Sequence, residues 1–146
     1  RQHWTKAMIA LSEAWRLARE HYGTNHPFVA QTLDLMGFVQ LSTSKFDDAM
    51  VSFTGALAIF RRLHGPMHLE VANSLFNVGM VREAKEELSD AWEAYTTARD
   101  LYSRLGTDNE HPGFIAVRRS IAHVEKGIHE RQATNRNGRR KEESKE

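Results

Sequence analysis

The side chains able to do chemistry in this chain are eight histidines, 19 carboxylates and a short basic run near the end; it contains no cysteine. His21, His26, His64, His68 and His111 would suit a metal ion by type, but ligands must converge within about 4 Å of one another around it. These histidines recur with a long period, which sets them apart along the molecule, and His26, His68 and His111 are better read as helix-opening residues. A catalytic reading needs a nucleophile, a base and an orienter in one pocket. The chain has Ser, His and Asp but no strained strand–helix elbow and no Gly-rich loop after a strand. Its paired carboxylates Asp47 and Asp48 suit a first helical turn, where negative charge meets the positive end of the helix dipole. Without cysteine there is no thiolate nucleophile, thiolate metal site or disulfide. The expectation is a protein that is not an enzyme, with no cofactor and no metal.

The elements that must position these residues are set by a repeat. A shift of 42 residues aligns Ala7 with Ala49 and Ala91, Leu11 with Phe53 and Tyr95, Ala14 with Ala56 and Ala98, and Leu17 with Ile59 and Leu101. In the other half of the unit, His26 aligns with His68, Ala30 with Ala72, Leu33 with Leu75, Gly37 with Gly79 and Val39 with Val81. Such a period signals stacked units, none able to bury its apolar face alone. Within a unit, Leu33, Met36, Gly37 and Gln40, and then Ala49, Phe53, Ala56 and Phe60, recur at steps of three and four, so both halves are helices. Ser44 and Asp47 between them read as a capping box. Glycine inside a helix costs about 1 kcal/mol against alanine, and close helix approach is the return. Helices are predicted over about 2–22, 26–42, 45–64, 68–85, 88–105 and 112–131, an all-α chain without strands. The last helix slips by one residue, since Phe114, Ile121, Ala122 and Val124 follow Val71, Val78, Gly79 and Val81 by 43.

Gly37, Ala49, Phe53 and Ala56, and again Gly79, Ala91, Tyr95 and Ala98, sit 12, 4 and 3 apart. This spacing resembles the small-residue signature of tetratricopeptide repeats. The unit of 42, with Gly23 through Ala30 leading into a first helix, is similar to the long repeats of kinesin light chains and related proteins. The resemblance implies a right-handed α-solenoid of antiparallel helix hairpins, and a protein-interaction scaffold whose concave groove, lined by first helices, holds a peptide or protein segment. Gln40 and Arg82 depart from the family pattern, which places an aromatic there, and cargo specificity of the kinesin light chain type is not carried over.

Taking the repeat literally, the groove positions are Gln31, Asp34, Phe38 and Leu41 in the first full unit. Asn73, Phe76, Asn77, Met80 and Glu83 follow in the second, and Arg119, His123 and Lys126 in the last helix. A large apolar residue such as Phe38, Phe76 or Met80 has no reason within its own hairpin to stand there, so it docks a partner or packs across the curve. The first helix is a second-type helix without its first, which leaves Trp4, Met8 and Leu11 as a self-association edge. A homo-oligomer through that exposed repeat end, or a regulatory domain cut from a larger protein, are the alternatives to a binding scaffold.

No run approaches the roughly 18 apolar residues of a membrane span, and the first ten residues lack a signal-peptide core. A cytoplasmic location fits. The absent initiator methionine suggests a piece of something longer. From Arg131 to Glu146 six basic residues face three acidic ones, while the net charge is only +1 overall. The repeat domain, residues 1–131, therefore has no basic face for nucleic acid. Residues 132–146 carry no large apolar side chain and are expected to be a disordered charged tail.

Overall fold

The computed structural model describes residues 2–107 and 109–143. Among them it has six helices and no strand: α1 (Gln2–Tyr22), α2 (Pro27–Ser42), α3 (Phe46–His64), α4 (Leu69–Ala84), α5 (Leu88–Arg104) and α6 (Pro112–Glu143). Helices pack in chain order, α2 with α3 and α4 with α5 most closely, α1 on α2, α3 on α4 and α5 on α6. Arg1, Asp108 and residues 144–146 lie outside the described residues, and with them the end of the expected tail.

The aligned columns form the core. Ala49, Phe53, Ala56, Ile59, Ala91, Tyr95, Ala98 and Leu101 are all buried. Gly37 and Gly79 let the helices of each hairpin close on an aromatic ring. A β-carbon at Gly37 would stand 2.6 Å from Phe53, and one at Gly79 would stand 2.5 Å from Tyr95.

Each first helix after α1 opens on a histidine whose Nδ1 caps a free backbone donor. His26 accepts from the Phe28 N–H at 3.1 Å, His68 from Glu70 at 3.2 Å and His111 from Gly113 at 3.2 Å. The inner turns close differently from the capping box predicted at Ser44. Ser44 has φ 60°, and Glu86, one unit later, has φ 61°. The N–H of Lys45 then reaches back to the Gln40 carbonyl (2.8 Å), and that of Glu87 to Arg82 (2.9 Å). This is the bonding of a helix C-terminal motif with a left-handed residue. It makes Lys45 the N-cap of α3, without a side-chain cap bond.

α6 also differs from its expected end near residue 131. It continues as helix to Glu143, with every side chain from His129 to Glu143 exposed. Arg131 ties the start of this extension to Glu86, donating to its carbonyl (3.0 Å) and pairing with its carboxylate (3.2 Å).

Candidate protein-binding face

The first helices α2, α4 and α6 stand side by side, and polar side chains bridge them. Asn77 Nδ2 donates to Asp34 Oδ1 (3.4 Å) from α4 to α2, and Glu83 Oε1 lies 3.5 Å from His123 Nε2 between α4 and α6. The second helices support the row from behind: the Tyr95 hydroxyl donates to Glu83 (2.5 Å) and the Tyr102 hydroxyl to Asn73. Sequence columns could not show the Asp34–Asn77 and Glu83–His123 bridges, because each joins different columns of different units.

Burial dominates the electrostatics here. It pushes the Asp34 carboxyl up to about 7; the Asn77 amide pulls it partly back and the Glu70 charge adds to the rise. Burial likewise raises the Tyr102 phenol to about 12, with Glu70 contributing, and raises Tyr95 further, with Glu83 contributing.

The predicted groove positions separate into three kinds. Gln31, Phe38, Arg119, His123 and Lys126 are exposed, Asp34, Leu41, Asn73, Phe76, Met80 and Glu83 are half-buried, and Asn77 is buried. The aromatic pair corrects one expectation, because both rings have partners within their own hairpins. Phe38 stands edge-on to Phe53 with centroids 5.1 Å apart, and Phe76 lies 5.4 Å from Tyr95. Phe38 nonetheless keeps 42% of its surface exposed. Among the described residues no group of three or more His, Cys, Asp or Glu side chains is placed to hold a metal ion. No described helix is long and apolar enough to cross a membrane.

Gln40 and Arg82, the departures from the family pattern, face the second helices. Gln40 is hydrogen-bonded to Ser52 at 2.6 Å. Arg82 pairs with Glu87 (2.6 Å) and reaches Asp90 (3.9 Å).

At the other end, α1 leaves its stripe uncovered. Leu17 is 50% exposed, whereas Ile59 and Leu101 in the same column are each 8%. Trp4 is 45% exposed, and Met8 and Leu11 are half-buried. Beside them an open cleft of 1110 Å³ separates Trp4, Met8 and Ile9 from the Ser42–Lys45 turn.

No protein-family model matches the sequence, and no curated protein matches it. Among solved structures the fold is similar to that of BtubC (BKLC) from P. vanneervenii, with a TM-score of 0.80 and 20% identity over 90% of this chain and 52% of that one. The chain thus spans about half the length of that protein. The likeness shows the fold, a right-handed tetratricopeptide-like solenoid of helix hairpins.

Proposed function

We propose that the chain is a protein-interaction scaffold without chemistry of its own, acting in the cytoplasm, and that a peptide or protein segment lies along the face of α2, α4 and α6. The observation that carries this reading is the exposed Phe38 ring on α2, with half-buried Phe76 and Met80 on α4, in a row of helices tied together by Asp34–Asn77 and Glu83–His123. A face so fixed keeps apolar anchors and hydrogen-bonding groups in place without ordering cost at binding, which is what favours affinity over mere contact area. The near-neutral charge favours protein over nucleic acid, and no described helix is long and apolar enough to cross a membrane.

The test compares wild type with a Phe38→Ala, Met80→Ala double variant for retention of partners from the source cell, followed by titration calorimetry of each recovered partner. Loss of binding in the double variant with unchanged circular dichroism supports the face. Equal binding by both proteins removes it.

A further inference from the structure

The two complete hairpins join their helices in related ways. A glycine lies beneath a ring, as Gly37 does beneath Phe53 and Gly79 beneath Tyr95. A leucine four residues earlier flanks the second helix: Leu33 lies against Gly55, and Leu75 shares a cleft with Thr97 and Leu101. A polar residue three positions after the glycine bonds across, Gln40 to Ser52, and Arg82 to Glu87 and Asp90. Among the described residues α1, a second helix, packs on the α2 of the following hairpin, and α6, a first helix, packs on α5 with no second helix after it.

Placed in the same columns, α6 and α1 complement each other at all three contacts. Ala122 stands where Gly79 does and Leu11 where Tyr95 does, so the added methyl group on one helix meets a smaller side chain on the other. Arg118 takes the place of Leu75 and Glu13 that of Thr97, replacing an apolar contact by opposite charges. Glu125 takes the place of Arg82, while His3 and Lys6 take those of Glu87 and Asp90, so the ion pair returns with both signs reversed. Glu13 is paired within its own helix, by Arg16 at 2.6 Å. Arg16 is shared between Glu13 and Glu20, leaving that cluster negative. Lys6 has no ion pair among the described residues. Arg118 reaches Asn109 at 3.5 Å and lies over the Phe114 ring at 5.7 Å, and Glu125 accepts the neutral Trp92 indole N–H at 3.0 Å. Arg118, Ala122 and Glu125 are exposed, and Leu17 lies open in the facing stripe.

We propose that α6 of one copy seats on α1 of a second copy, completing a hairpin across two chains. The two helices lie at opposite ends of the row of helices, so one chain cannot pair them internally. The contact is heterologous, joining α6 of one copy to α1 of the next, so it runs head to tail. It uses a surface other than the α2–α4–α6 face and stands independently of the function proposed above.

Sedimentation velocity of the 146-residue chain at low and high salt tests it. The expected result is a mass that rises with concentration above the 16.7 kDa monomer and falls with salt. Glu125→Lys and Lys6→Glu should each weaken association about tenfold, and the combined variant should restore it, since the pair is rebuilt with exchanged signs. An equimolar mixture of Leu11→Asp and Ala122→Glu, each unable to extend, should form pairs and nothing longer. Met80→Ala should leave association unchanged. A monomer at every concentration overturns the proposal. So does association indifferent to both charge reversals, or a combined variant no better than either single one. Circular dichroism of each variant excludes unfolding as the cause.

Discussion

Gly79 lies directly beneath Tyr95, so close that a β-carbon there would stand 2.5 Å from the ring. The ring cannot swing aside freely, because Tyr95 is fully buried and its hydroxyl donates to Glu83. Helix propensity alone favours Gly79→Ala by about 1 kcal/mol. Overpacking opposes it, and the expected net effect is a loss of about 1–3 kcal/mol. Chemical denaturation decides the sign, and a raised midpoint would show that the hairpin relaxes around the methyl group.

Ala56 tests the other small column. It is fully buried, so Ala56→Leu is expected to cost about 1–3 kcal/mol by forcing the helices apart. An unchanged thermal midpoint would mean that the space beside it accommodates a larger side chain.

His68 caps α4 through its Nδ1 and stacks on His64 with ring centroids 3.9 Å apart. His68→Ala should lose about 1 kcal/mol, the usual value of an N-cap, while His68→Asn should recover most of it. Equal stability of the two variants would shift the contribution from the cap to the ring stack.

Asp34 makes stability depend on pH. Its folded carboxyl is raised from 3.8 to about 7 by burial, so between those values the unfolded chain has lost a proton that the folded chain retains. Unfolding therefore gains from rising pH, and the contribution present below pH 3.8 is lost as pH approaches 7. Asp34→Asn keeps an acceptor for Asn77 and removes the titration. The variant should exceed wild type in thermal midpoint at pH 8 and match it at low pH; a difference independent of pH would contradict this account.

For the binding face, apolar anchors and exposed charges should behave differently. Phe76→Ala or Met80→Ala is expected to weaken a recovered partner by about 1 kcal/mol or more, because truncating a packed anchor loses buried contact. Arg119→Ala should cost less and flatten the salt dependence, since a rim charge acts mainly on encounter. Calorimetry at two salt concentrations separates them, and a larger loss at Arg119 than at Met80 would reverse the assignment.

The six helices and their pairing were legible because the 42-residue columns repeat both the small residues and the rings they meet. Three details were not. Ser44 looks like a cap in isolation, yet its column partner Glu86 shares its left-handed backbone, which a cap at that position does not use. The intrahairpin partners of Phe38 and Phe76 required ring directions, which periodicity does not encode. The continuation of α6 beyond Arg131 has no apolar stripe to announce it. Main-chain hydrogen bonding carried on from the packed part, with Arg131 held at Glu86, is what the structure shows in its place.

The open side of α1 also governs how the molecule breathes. With Ala18 its only buried residue, α1 packs on α2 and has no helix against its other side, whereas α3 lies between α2 and α4. In a linear stack each unit is held by its neighbours, so opening α1 sacrifices one interface and opening α3 two. Amide hydrogens should accordingly exchange first along α1 and the outer half of α6, and last where Phe53, Phe60 and Val71 are sealed. Protection would then rise from both ends toward the α3–α4 contact.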